Sequence, residues 1–282
     1  MTAEQQVNST TSAERNETSQ GAFIDYDVIF QLTIAGVFLI AWEVAARYFG
    51  TQFYTSSPTE VIVALKKWAQ SGQLIVDLQY TLVAAGLGFI GGSTVGGVVG
   101  FVLGWVKRLG DLLEPFVLGF YSLPKIALAP LFVLWFGIGL FNKVMFSGLL
   151  VFFMVFITTY QGTRQVDRDL VENARLMGGK RRDIWFKIAI PYSSVWVLTG
   201  VRVGLPYALI GAIVGEFVAA SAGVGFRIKE ATNFFDTAGV FAGLLVLMAI
   251  SLVLISGLKV IERRALRWQN VKGGIQIDEH SV

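Results

Sequence analysis

Long apolar runs broken by short polar or charged stretches set the pattern of this chain, and they fall at 28–48, 78–106, 112–136, 144–160, 192–217 and 238–258. A hydrocarbon layer about 30 Å thick is crossed by roughly 20 apolar helical residues. The pattern therefore predicts an all-α polytopic membrane protein with about six transmembrane helices. Residues 1–27 are polar, with no apolar periodicity, and read as a disordered tail. The stretch 50–76 mixes both characters around Pro58 and an amphipathic piece at 61–69, which is expected on the outer surface.

Within the runs, small residues carry most of the information. Gly88, Gly92, Gly96, Gly100 and Gly104 recur every fourth position through the second run. Such a stripe predicts a face on which another helix packs closely, because packing drives helix association in lipid. The fifth run repeats the device with Gly200, Gly204, Gly211 and Gly215 around Pro206. The third run holds Pro115, Pro124 and Pro130 and is expected to be kinked or broken. Residues 137–143 read as a short outer turn before a short fourth span, and 219–237 as an outer loop containing Gly223 and Gly225.

One interruption differs from the rest. Residues 164–190 carry seven Lys or Arg beside Asp167, Asp169, Glu172 and Asp183, with spans on both sides. So polar a stretch cannot cross a bilayer. It reads as a short helix, a glycine break and a second helix. Asp169 is the expected N-cap, with Glu172 three residues on as its capping-box partner. Leu170, Ala174 and Met177 fall on one face at helical spacing. Gly178-Gly179 is expected to end the helix, since glycine takes the left-handed conformation without steric cost. Ile184, Trp185, Phe186 and Ile188 lead back to the next span, which Pro191 opens.

Composition narrows the function. Charged residues are 15% of the chain, against about 25% in soluble domains. The net charge of +3 sits in the interruptions, as topology control requires, which argues against a nucleic-acid surface. No cysteine is present, and the single histidine is His280, three positions from the end. Thiol chemistry is thereby excluded, and most histidine-based catalysis, metal binding and haem ligation within the spans is removed. With both ends inside, fifteen of the 23 Lys and Arg fall on the cytoplasmic side. The positive-inside rule selects that orientation and puts the charged segment in the cytoplasm.

The segment resembles the cytoplasmic signature of bacterial binding-protein-dependent ABC permeases: Glu-Ala-Ala, three residues, Gly, nine residues, Ile, one residue, Leu-Pro. Here Glu172-Asn173-Ala174, Gly178, Ile188 and Ile190-Pro191 keep every spacing and depart only at Asn173 and Ile190. Over about 77–268 the chain is most similar to the nitrate/sulfonate/taurine/bicarbonate branch. The matching features are Leu123-Pro124, Trp135-Phe136-Gly137-Ile138-Gly139, Leu198-Thr199-Gly200-Val201-Arg202, Glu216-Phe217 and Glu262-Arg263-Arg264.

The resemblance implies a type I importer permease (MetI-like) fold and a coupling helix that docks in a cleft of a cytoplasmic ATPase. On that reading Glu172, Ala174, Arg175, Met177, Gly178, Arg181, Ile188 and Pro191 couple to the ATPase. A side chain at Gly178 is expected to clash with the partner or within the turn. The implied organisation is a polar cytoplasmic tail (1–27), a first helix and outer segment (28–75), a permease core (76–262) with its coupling loop at 164–190, and a cytoplasmic tail (263–282). The implied partners are two ATPase subunits, a second permease copy and an extracytoplasmic binding protein, in a prokaryotic inner membrane. No GxxxxGK[ST] loop occurs in the sequence, so ATP and magnesium belong to the partner and the chain needs no cofactor of its own.

Lys125, Arg202 and Glu216 are ionisable residues in or at the ends of spans, and so are candidates for the translocation path of a small anion. Each has an alternative: Arg202 as the partner of carbonyls freed near a kink, Lys125 as a cation snorkelling to the inner face, and Glu216 as part of an outer gate or a contact for a binding protein. Two other classes compete with the importer. An ion-coupled secondary transporter or channel predicts an inverted repeat, and none is evident. An intramembrane enzyme predicts a nucleophile–base pair, which the terminal position of His280 argues against.

Overall fold

A computed structural model describes residues 29–48 and 55–265, the side chains of 168 and 261–265 excepted. In chain order the helices are α1 (Ile29–Tyr48), α2 (Pro58–Gln70), α3 (Gln73–Trp105), α4 (Lys107–Ser122), α5 (Ala129–Phe136), α6 (Leu140–Arg164), α7 (Arg168–Leu176), α8 (Arg181–Ile184), α9 (Ile190–Val218), α10 (Val224–Asn233) and α11 (Thr237–Ala265). Among the described residues, five helical stretches are long and apolar enough to span a membrane, and α4 with α5 makes a sixth that is bent by 83°. This is the all-α, roughly six-span architecture expected from the apolar runs. The tails and residues 49–54 lie outside the described residues.

The centre of the fold is α6, held between α3 and α9. The glycine stripe of α3 lies along one side of it. A methyl group added at Gly92 would stand 2.4 Å from the Gly148 carbonyl oxygen, and one at Gly96 2.7 Å from that of Phe152. On the other side, a methyl at Gly211 would stand 2.5 Å from the Ser147 Cα and one at Gly200 2.9 Å from the Val155 Cα. Real carbon atoms do not approach so closely, so backbone-to-backbone contact excludes a side chain at these positions. Where the helices meet, Ser147 Oγ donates to the Ala208 carbonyl at 2.9 Å, satisfying a hydroxyl that burial would otherwise penalise. Ala84, Ala85, Val151, Val155, Ala208, Leu209 and Ala212 complete the shared core.

The fourth span departs from expectation. It is not short: α6 runs 25 residues, starting at Leu140. The turn before it shrinks to 137–139, where Gly137 (φ +75°) and Gly139 (φ +151°) adopt positive φ. Lys143, expected in that turn, is inside α6 and only 4% exposed.

Proline breaks the third span at one of its three positions. Pro115 is accommodated inside α4. Leu123 is forced into extended conformation by the ring that follows it, and a 3₁₀ turn (Lys125–Leu128) then redirects the chain. Pro130 sits in the first turn of α5, where its missing N–H costs nothing. The stretch 219–237 is not a plain loop: it contains the ten-residue α10, packed on α11 and α3. The amphipathic 61–69 piece belongs to α2, which Ser57 caps and which lies against α11.

Direction follows from the contacts. Gly88 meets Ser147 and Gly104 meets Thr163, so α3 and α6 run parallel, whereas Gly200 meets Val155 and Gly215 meets Lys143, so α9 runs antiparallel to both. The segment between α6 and α9 therefore lies at the end of the bundle where α3 finishes. α2 and α10 lie at the opposite end.

Candidate functional site: the charged segment and the buried outer cluster

The charged segment folds as two short helices around a glycine corner. Its cap is Asp167, whose carboxylate accepts from Asp169 N–H at 2.9 Å, and not Asp169 with Glu172 as its box partner. An N-cap must sit outside the helix in extended conformation, as Asp167 does (φ −61°, ψ 123°). Asp169 is already in the first turn, where its charge favours the helix N-terminus.

The far end of α7 closes as predicted. Gly178 N–H donates to the Arg175 carbonyl and Gly179 N–H to that of Ala174, both at 2.9 Å. This is the paired bonding of a Schellman termination. The two glycines answer different needs. Gly178 has φ +81° and open space around it, so conformation and not a clash within the turn excludes a side chain there. Gly179 is held by proximity, since a methyl group would stand 2.6 Å from the Ala174 carbonyl oxygen.

The two legs are anchored differently. Ile184 is buried, and Trp185 packs edge-on against Phe101 and Trp105 at 5.5 and 5.8 Å, fixing the second leg to α3. A π turn, Trp185–Ala189, carries the chain into α9, with Ile188 half-buried within it and Pro191 in the next first turn. Tyr192 Oη donates to the Gln165 carbonyl at 3.2 Å and ties the two ends of the segment together. The first leg is left uncovered. Leu170 is 53% exposed, Leu176 85% and Met177 89%, while Ala174 is half-buried. Glu172, Arg175 and Arg181 are exposed around them. Leu176, which sequence periodicity did not place on this face, is as prominent as Met177.

At the opposite end a buried charged cluster joins five elements. Asp77 of α3 accepts from Gly223 N–H (2.8 Å), Trp68 Nε1 (3.0 Å) and Arg227 Nε (3.1 Å). Glu216 of α9, fully buried, accepts from Thr81 Oγ1 (2.9 Å) and Gly225 N–H (2.8 Å). The same Thr81 oxygen accepts from Val224 N–H at 2.9 Å. Lys143 Nζ of α6 lies 3.5 Å from the Ala222 carbonyl. The buried carboxylates of Asp77 and Glu216 are thus each hydrogen-bonded, as buried charges must be, and Arg227 pairs with Glu230 as well, at 2.8 Å. A methyl group at Gly223 would stand 2.3 Å from the Glu216 carboxyl, so the Gly-x-Gly wraps this acid. Sequence reasoning found Glu216 and the two glycines. It missed Asp77, Lys143 and Arg227, whose only signal was charge near the ends of apolar runs, and Thr81, which carried none.

The other two candidates lie apart from this cluster. Lys125 sits at the break between α4 and α5, where Nζ donates to the Tyr121 carbonyl at 2.6 Å and rests 4.5 and 4.9 Å from the Tyr121 and Phe153 rings. Arg202 lies on an exposed face of α9. The structure does not bring Lys125, Arg202 and Glu216 into one site.

Six apolar passages around a glycine-packed core, with an exposed charged segment between two of them, define a membrane transport subunit. Residues 88–267 match the family described as the binding-protein-dependent transport system inner membrane component. The chain belongs to this family, as a permease subunit of an ABC importer that is not itself an enzyme. It is 34% identical over 241 residues to a putative aliphatic sulfonates transport permease protein of Bacillus subtilis, covering 85% of this chain and 87% of that one. It is 30% identical to a formylaminopyrimidine transport permease protein of Halalkalibacterium halodurans (82% and 92% covered). Against a riboflavin transport system permease protein of Chloroflexus aurantiacus the identity is 33% (82% and 87%). Among solved structures, a chain of the MetNI methionine ABC transporter superposes with a TM-score of 0.57 at 20% identity, covering 69% of this chain and 95% of that one. That likeness shows the fold.

Proposed function

We propose that this permease moves a small anionic solute, of the sulfonate, nitrate or taurine kind, by alternating access driven through the α7–α8 segment. The observation that carries the reading is the uncovered first leg of that segment. Leu176 and Met177 are 85% and 89% exposed at its tip, beside Arg175 and Arg181. An apolar tip ringed by charge and stiffened by a Schellman turn suits insertion into a protein cleft, where a few fully desolvated anchors carry most of the binding energy. The end anchored by buried Ile184 and half-buried Trp185 would transmit the displacement to α3 and α9.

On this reading the segment faces the cytoplasm of a prokaryotic cell, both termini lie on the same side, and the membrane is the inner one. Two ATPase subunits hold ATP and magnesium, a second copy of the chain completes the path, and a binding protein delivers the cargo outside. The anionic class rests on the similarity to the sulfonate permease. The formylaminopyrimidine and riboflavin relatives make cargo a property that neighbouring permeases do not share. Lys125 and Arg202 are proposed to face the path. Glu216, sealed beneath Gly223 and Gly225, is proposed to secure the outer gate and not to touch solute.

The test is uptake by proteoliposomes holding the permease, its ATPase and its binding protein. Leu176→Ser with Met177→Ser should abolish both ATPase association and uptake. Retained uptake with a stably associated ATPase would refute the coupling role. Lys125→Ala and Arg202→Ala, made separately, should each slow uptake while leaving ATP hydrolysis intact, and unchanged uptake in both would remove them from the path.

A further inference from the structure

Beneath the charged segment lies a second feature, bordered in part by residues assigned above to coupling. A pocket of about 440 Å³ opens between the segment and the ends of the spans. Its membrane-side wall is Gly104 and Trp105 at the end of α3 and Lys107 at the start of α4, with Thr163 and Arg164 at the end of α6. Its other wall is the segment itself, through Val171, Glu172, Arg175, Arg181 and Trp185. Four cations therefore border it against one carboxylate.

Arg164 is already committed: it pairs with Asp111, with Glu114 at 3.3 Å and with the Tyr160 hydroxyl. Lys107, Arg175 and Arg181 form no ion pair among the described residues. Thr163, 2% exposed, has a hydroxyl with no hydrogen-bond partner in the same wall. A pocket that gathers three uncommitted cations and an unsatisfied hydroxyl against the single carboxylate of Glu172 presents more donors than acceptors. Guanidinium forks match the oxygens of a phosphate in geometry as well as charge. The volume is within the range of small-ligand sites. Trp105 and Trp185 set the pocket at the level where aromatic rings mark a membrane–water boundary.

We propose that this pocket binds a phosphate-bearing anion, the headgroup of an anionic phospholipid or free inorganic phosphate, and thereby holds the coupling segment against the membrane body. Basic pockets between spans on the cytoplasmic side are suited to acidic headgroups. Because the two walls belong to the bundle and to the segment, an occupant bridges the part that moves and the part that is moved. Occupancy would then set how far an ATPase can swing the segment. The regulatory role rests on the coupling reading above, whereas the binding does not.

The experiment uses the full-length chain in nanodiscs of phosphatidylcholine carrying spin-labelled phosphatidylglycerol, with lipid immobilisation as the readout. Arg175→Gln with Arg181→Gln should weaken retention roughly thirtyfold, the loss that two interfacial cations predict. Thr163→Val, which removes the hydroxyl and keeps the bulk, should weaken it about fivefold. Arg182→Gln, next along the chain but outside the pocket, should leave it unchanged. A second arm titrates inorganic phosphate into lipid-neutral discs by calorimetry. Saturable binding there, lost in the double variant and without lipid immobilisation, would support the pocket and assign it to the free anion. Equal binding of both probes to the native chain, the double variant and Thr163→Val would overturn the proposal. Neither arm needs an ATPase, so failure of the pocket is distinguishable from failure of the coupling role, which co-purification of the ATPase reports.

Discussion

The core formed by α3, α6 and α9 and the tip formed by α7 are built on opposite terms. In the core, glycine brings backbones into contact and leaves no room for a side chain between them. At the tip, glycine turns the chain away from the bundle and leaves Leu176 and Met177 without a neighbour. One residue type serves as a spacer in the first case and as a corner in the second. The difference separates the part that must hold its shape from the part built to be gripped.

Substitutions in the core should have the largest effect. Gly92→Ala and Gly211→Ala each drive a methyl group into backbone that cannot yield, and the account predicts a loss of about 3 kcal/mol in detergent-solubilised stability, the upper range for overpacking. Gly91, one position along the same helix, has open space around it. Gly91→Ala should be neutral or stabilising by about 0.5–1 kcal/mol, as helix propensity dictates. Equal effects at Gly91 and Gly92 would contradict the packed face.

A smaller effect is expected where the core is sealed at the α10 end. Thr81→Val leaves the Val224 N–H and the Glu216 carboxylate each short of a partner, a cost of about 2 kcal/mol for buried polar groups. The loss should appear in thermal denaturation together with faster proteolysis of the 219–237 stretch.

At the corner, Gly178→Ala should cost about 1–2 kcal/mol locally, because an alanine at φ +81° meets its own backbone. Insertion and global stability should stay as they are while ATP-driven uptake falls. At the tip, Met177→Ser should alter folding by no more than about 0.5 kcal/mol. ATPase association should weaken by about 2 kcal/mol, as for an interfacial anchor.

The same contrast explains what could be read from the chain. Gly88 to Gly104 announced a packed face, because a four-residue repeat is a property of one helix. That α6 is the neighbour, clasped again from behind by Gly200 to Gly215, was not legible, since periodicity identifies a face and not what lies on it. Lys143 was placed in a turn because a lone cation beside glycines looks exposed. Its burial depends on Glu216 and the Ala222 carbonyl, which only the fold brings near. The α7 cap was displaced by two residues because Asp167 and Asp169 are equally good caps by type, and backbone conformation decided between them. The α10 helix was missed because its ten residues are too few and too mixed to show a period. By contrast, the Gly178-Gly179 stop depends on bonds within six residues and was fully legible.

The central claim is that the α7 tip is where an outside motor engages this permease. The chain has no cysteine, so Met177→Cys, at a position 89% exposed, introduces a single thiol. The direct measurement is crosslinking from that thiol in membranes containing the assembled transporter, with and without ATP. The account predicts a crosslink to the nucleotide-hydrolysing subunit whose yield changes with ATP, and protection from reagents that cannot cross the membrane. Labelling from the external side, or no capture of the ATPase in any nucleotide state, would contradict it.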